Sequence, residues 1–222
     1  AHQELIKKTN SKNNISKPGW LKLFKTINSY KKYYLELDVL NKNKAEYTIL
    51  DTEQIKKQFP DLEESFFKGV LFKNSLRVKS PLTLSKKYFN YFPNSGGRYL
   101  KEECKDLKYK EGKWSINFNK LLFSLGYDIP LAWERGYHHH FSIKKKTNIN
   151  PAIHDIEGGF VFSSNGSEIR VTSGVELNFM DASKNEIQIN ESIQKLHKIL
   201  PLDKKLTEKA WLGSRPTIAD SL

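Results

Sequence analysis

Apolar positions in this chain recur mostly at every second residue, in short runs closed by Gly, Pro, Asn and Asp, and only a few stretches repeat at helical spacing. Alternation of that kind predicts strands over residues 19–25, 46–50, 69–72, 131–143, 153–155, 159–163 and 168–177. A hairpin is predicted over 106–110 and 113–118, turning at Glu111-Gly112, and a second turn at Asn165-Gly166. Arg98-Tyr99-Leu100 is predicted to begin another strand, residues 121–126 form a short apolar run, and 209–214 is predicted to be a last strand, broken at Pro216.

Helical spacing is confined to four places. Tyr30, Tyr33, Tyr34 and Leu37 share a face of a helix over 28–40, and Asp51 can cap a helix over 52–59 that stops before Pro60. Ser80-Pro81 reads as an N-cap with proline in the first turn, continued by Leu82, Leu84, Tyr88 and Tyr91. A helix over 190–200 buries Ile193, Leu196 and Ile199. Consecutive, hairpin-linked strands with few helices define the class as α+β, a largely antiparallel mixed sheet with helices packed on one face. Residues 1–17 are a polar N-terminal segment and 18–222 a single domain.

Composition changes this picture little. The 222 residues carry a formal charge of +12, which raises nucleic acid as a partner. However, only five of the 37 basic residues are arginine (Arg77, Arg98, Arg135, Arg170 and Arg215), and the lysines are scattered through nearly every segment. Readers of bases cluster charge and use arginine, so a solvated lysine surface is the better reading, with no specific nucleic acid. No apolar run is long enough to span a membrane. A single cysteine, Cys104, rules out an internal disulfide and sits in a charged run without a catalytic partner. A cytoplasmic location is expected, peripheral attachment to the inner membrane being left open.

Two stretches stand out chemically. In the strand over 131–143, Arg135, Tyr137 and His139 point one way and Glu134, His138 and His140 the other. Paired imidazoles can hold zinc, but no further ligands stand at a recognised spacing, and no metal is expected. The last dozen residues bring Trp211, Gly213, Arg215 and Pro216 together. Arg215 offers a planar fork whose backbone Pro216 restricts; it is either a carboxylate clamp or the partner of a surface carboxylate. No Gly-x-Ser-x-Gly elbow, phosphate-binding loop or Gly-x-Gly-x-x-Gly fingerprint is present.

Together these motifs resemble one family. Pro130-Leu131-Ala132-Trp133-Glu134-Arg135-Gly136-Tyr137-His138 is similar to the P-L-x-x-E-R-G-Y-H strand of FAD-dependent D-amino-acid dehydrogenases, within the wider D-amino-acid oxidase and glycine oxidase family. The segment from Trp211 to Leu222 resembles that family's W-x-G-x-R-P-x-x-P-D-S-L, and Gly174-Val175-Glu176-Leu177 its G-x-x-E strand. Ser80 replaces the family's Asp before Pro81, and Ala219 its second terminal proline. The family's dinucleotide-binding βαβ unit and the glycine-rich flavin segment after the terminal motif have no counterpart in the 222 residues.

The resemblance therefore implies the substrate-binding domain of a FAD-dependent oxidoreductase, the flavin domain missing, and a chain inactive by itself. It implies oxidation of a D-amino acid or related amine by hydride loss from the α-carbon to FAD, which carries the hard chemistry. Arg215 matches the arginine that binds the substrate carboxylate, and Tyr137 and His138 fall where they can line the site. Arg135 is expected to pair with Glu134 or Glu176. A non-catalytic module that binds amino-acid carboxylates, and a basic nucleic-acid-binding domain, are the alternatives.

Overall fold

A computed structural model describes residues 2–99, 101, 106–117, 131–165 and 167–218. The predicted run at 121–126, Cys104 and the end of the terminal motif, 219–222, lie outside the described residues. The polar N-terminal segment forms helix α1 (His2–Lys8), a 3-10 turn at Lys12–Asn14 and strand β1 (Ile15–Ser16). Strand β2 (Trp20–Phe24) follows, then helices α2 (Ile27–Lys32) and α3 (Tyr34–Lys42), strand β3 (Thr48–Asp51), helix α4 (Thr52–Gln58), and strands β4 (Lys68–Phe72) and β5 (Arg77–Val78). Helix α5 (Pro81–Asn94) leads to the hairpin β6 (Asp106–Lys110) and β7 (Lys113–Asn117). Then come β8 (Leu131–Ile143), β9 (Ala152–Asp155), β10 (Phe160–Ser164), β11 (Glu168–Asn178), helix α6 (Ile187–Ile199), β12 (Leu202–Lys205) and β13 (Trp211–Ile218).

Among the described residues the main sheet has nine strands, in the order β12-β8-β11-β10-β9-β2-β4-β3, with β13 also paired to β8. Every pair is antiparallel except β2 with β9. The class is thus the expected α+β mixed sheet. Alternation sets its two faces. Leu21, Leu23, Ile153, Phe162, Ile169, Val171, Tyr137 and Phe141 turn to one side and join Ile55 of α4 and Ile189, Leu196 and Ile199 of α6 in the larger core. Helices also cover part of the other face, against the one-sided expectation. Tyr30 of α2, Tyr33 between the two helices and Leu37 of α3 pack on Phe24 and Val70 there, because Phe24 and Val70 project opposite to Leu23 and Leu71.

Local chemistry accounts for most element limits. Asp51 accepts from the Gln54 amide at 2.9 Å while Gln54 caps back on the Asp51 amide, a complete capping box for α4. Ser80 caps α5 through the Thr83 amide at 3.2 Å. The single helix predicted over 28–40 is two, broken at Tyr33, where a turn lets both Tyr30 and Tyr33 reach Phe24. Arg98 and Tyr99 form no strand; the Tyr99 ring packs edge-on against Phe89 instead, 4.9 Å between centroids. Strand β13 runs through Pro216 rather than breaking there, since on an edge strand the missing N–H can face away from the ladder.

Candidate functional site

On the face of the sheet opposite the larger core, beyond the part packed against α2 and α3, the register lays out a row of polar groups. Strand β8 contributes Glu134, Gly136, His138 and His140; β13 sets Arg215 opposite Glu134, Gly213 opposite Gly136 and Trp211 opposite His138. On the other flank, β11 sets Thr172 opposite His138 and Arg170 opposite His140. The opposed pair Gly136 and Gly213 leaves a stretch of sheet backbone without side chains. The Trp211 indole folds across Gly213, where any β-carbon would collide with it, and stacks on the His138 imidazole, 4.6 Å between centroids at 26°. A β-carbon on Gly136 would meet nothing within 4 Å. A small ligand can therefore approach the backbone between the Trp211–His138 stack and the Arg215–Glu134 pair.

Arg215 donates from Nε to Glu134 Oε2 at 3.0 Å, and its Nη2 meets the same oxygen. The Arg215 side chain is 74% exposed, so the pair is worth about 0–1 kcal/mol and holds the guanidinium over the face without committing it. His138 accepts at Nδ1 from Arg170 Nη2, 3.1 Å away, if its proton rides on Nε2. Burial, then the charge of Arg170 and the neighbouring His140 and His139, push the His138 pKa down to about 4, so the ring is neutral at physiological pH.

Tyr137 lies on the other side of the sheet, 1% exposed. Its hydroxyl donates to Glu176 at 2.8 Å and accepts from the Asn185 amide at 3.0 Å. Burial raises its pKa, which keeps the phenol protonated as that donor. Arg135, fully buried beside it, sits 3.8 Å from Glu176 and donates to the Ser183 carbonyl at 3.1 Å. Of its two expected partners it takes Glu176, while Glu134 takes Arg215. The structure thus brings His138 and Arg215 to one face and places Tyr137 beneath it, tying β8 and β11 to the loop before α6.

Arg170 was not singled out as a site residue from sequence. The available signal was the scarcity of arginine together with its strand position, two residues from Thr172 on the face that carries His138. It is half-buried, its Nε is buried without a hydrogen-bond partner, and among the described residues it has no carboxylate. Beside it a cleft of about 580 Å³ opens between Trp20, Arg77, His140, Val161, Ser163 and Thr172. A roomier hollow of about 850 Å³ beside α3 and β3 is less promising, because Tyr47 bonds Asn41 and Asn74 bonds Glu46 within it.

Among the described residues no three His, Cys, Asp or Glu side chains form a metal-binding group, and no helix is long and apolar enough to cross a membrane. A dinucleotide would need free amides at a helix N-terminus after a parallel strand. Of the described strand-to-helix junctions, β3 to α4 is closed by the Asp51 carboxylate. At β2 to α2, Glu157 accepts from the Lys25 and Thr26 amides at 2.9 and 3.0 Å. Neither of these two junctions leaves amides free for the pyrophosphate of FAD.

The fold is shared with solved flavoenzyme structures. Glycine oxidase from Geobacillus kaustophilus superposes with a TM-score of 0.80 at 14% identity, over 99% of this chain and 64% of that one. Glycine oxidase from Bacillus cereus ATCC 14579 gives 0.78 at 17% identity, over 99% and 65%. L-Proline dehydrogenase from P. horikoshii gives 0.78 at 16%, over 98% and 66%. The chain therefore spans just under two thirds of these structures' own lengths. No curated protein matches it significantly. The family model DAO, FAD dependent oxidoreductase, matches residues 1–222, and the chain belongs to that family, whose cofactor is FAD.

Proposed function

We propose that this chain is the substrate-binding part of a flavin-dependent oxidoreductase that acts on D-amino acids or related amines, with Arg215 as the carboxylate clamp. The Arg215–Glu134 pair carries the reading. Side by side over the bare backbone at Gly136, a guanidinium and a carboxylate complement the two ends of an amino-acid head group. A substrate carboxylate displaces Glu134 from the guanidinium at small cost, because an exposed pair is weak. Glu134 then accepts from the substrate amine, and the Trp211–His138 stack flanks the site on the side of Arg170. His138, neutral and fixed by Arg170, orients rather than titrates. Tyr137 acts from beneath, by holding β8 in register with β11. Solved neighbours that are glycine oxidases, an iminodiacetate oxidase and an L-proline dehydrogenase support an amine-bearing acid as the substrate class.

Joined to a flavin-binding part and loaded with FAD, the chain mixed anaerobically with D-amino acids is expected to bleach the flavin, and with the L-enantiomers to leave its colour unchanged. Arg215→Ala should raise KM about 10- to 100-fold, as loss of a charge-assisted bond requires. Unchanged flavin spectra with every D-amino acid and amine tried would remove the reading.

A further inference from the structure

We propose that the cleft beside His138 is an anion subsite in which Arg170 takes a second acidic group of the substrate, so that the preferred substrates are acidic amino acids. This rests on the reading of Arg215 as the clamp for the first carboxylate. Three cations line the cleft, Arg77, Lys79 and Arg170, together with His140, and among the described residues no Asp or Glu does. Arg77 is anchored by donation to the Ser164 carbonyl at 2.7 Å. Arg170 is held by His138 through one Nη, while its Nε is buried and unbonded. A half-buried guanidinium without a counter-ion is costly, and the inexpensive remedy is an anionic ligand with oxygen atoms to fill its fork. Glu168 pairs with His140 at 3.7 Å rather than with Arg170. Ser163 and Thr172 on the wall can add hydrogen bonds, and Trp20 also lines the cleft.

The layout also sets the geometry of the ligand. Along β8 the order is Glu134 with Arg215, then bare Gly136, then His138 with Trp211, then His140 with Arg170. Six residues separate the two arginine positions, about 20 Å of strand, which two long side chains reaching along the face shorten. A compact amino acid touches Arg215 only; one with an acid at the far end of its side chain reaches past His138 to Arg170.

Calorimetry on the full chain with glutarate and with its monoamide, glutaramate, tests the subsite without flavin and without chirality. Glutarate should bind about tenfold more tightly, the value of one charge-assisted bond. Arg170→Met should erase most of that preference by weakening glutarate far more than glutaramate, and Arg170→Lys should keep part of it. Equal affinities in the parent chain, or a loss in Arg170→Met shared equally by both ligands, overturns the proposal; should that variant not fold, the parent comparison and Arg170→Lys decide. In the chain joined to a flavin-binding part and loaded with FAD, D-glutamate should show a KM about tenfold below that of D-glutamine. Oxidation of both with the same KM sinks the acidic subsite and leaves the oxidation reading standing. An Arg170-dependent preference for glutarate, with no D-amino acid oxidised, does the reverse.

Discussion

Adjacent residues of β8, Glu134 and Arg135, have opposite surroundings because a strand alternates its side chains. Arg135 is fully buried and relies on Glu176, whose carboxyl the Asn178 amide, the Tyr137 hydroxyl and Arg135 hold below the usual carboxylate range. Glu176→Gln strips the counter-charge from a buried guanidinium and should cost about 2–3 kcal/mol in urea unfolding. His138 behaves differently. Its ordinary value of 6.5 falls to about 4 in the folded chain, so the unfolded chain takes up a proton first as pH drops. The stability contributed by neutral His138 is present above pH 6.5, falls between about 6.5 and 4, and is flat below. Because the ring is only partly shielded, the loss should be on the order of 1–2 kcal/mol, and His138→Phe should remove that part of the pH dependence. Replacing Arg170 by Met should let the His138 value rise in an NMR titration while burial keeps it below 6.5.

Elements with complete local instructions are the ones whose sequence reading survives. β8 has the predicted limits, Leu131–Ile143, since its alternation is unbroken over its whole length. α4 begins at its predicted cap, and Asp51→Ala should cost about 1 kcal/mol by thermal or urea unfolding. β12 carried no such signal: of Leu202–Lys205 only Leu202 is buried, and the strand exists because β8 offers an edge there. Gly213 shows a constraint between these extremes. A glycine in a strand gives no hint of its reason until Trp211 is seen lying over it. Gly213→Ala should move the indole off His138, measurable as a change in tryptophan fluorescence and in the His138 NMR signals.

Among the described residues, α4 and α6 pack on one face of the sheet, and α2 and α3 on part of the other. The rest of that second face bears the site groups, whereas the excess charge of +12 is spread over lysines throughout the chain. Dispersed lysines bind nucleic acid, if at all, through counter-ion release. Any binding to a generic duplex should therefore fall steeply with salt and be gone at physiological ionic strength; persistence there would revive the nucleic-acid reading. Four of the five arginines follow the same contrast. Arg135 serves a buried pair, and Arg77, Arg170 and Arg215 serve the open face, each where a planar fork does what an ammonium cannot.

The sequence by itself determined the class, the main strands, the caps at Asp51 and Ser80, and the sorting of Arg135, Tyr137 and His139 to one face with Glu134, His138 and His140 on the other. All of these follow from periods of two or from contacts three residues apart. Only the tertiary structure decided which strand lies beside which. That pairing gave Glu134 to Arg215 and Glu176 to Arg135, sank Tyr137 beneath the sheet, and set Arg170 against His138 at the mouth of a cationic cleft. Each of these contacts joins residues 32 to 81 positions apart, a separation at which side-chain period carries no information and only strand register does.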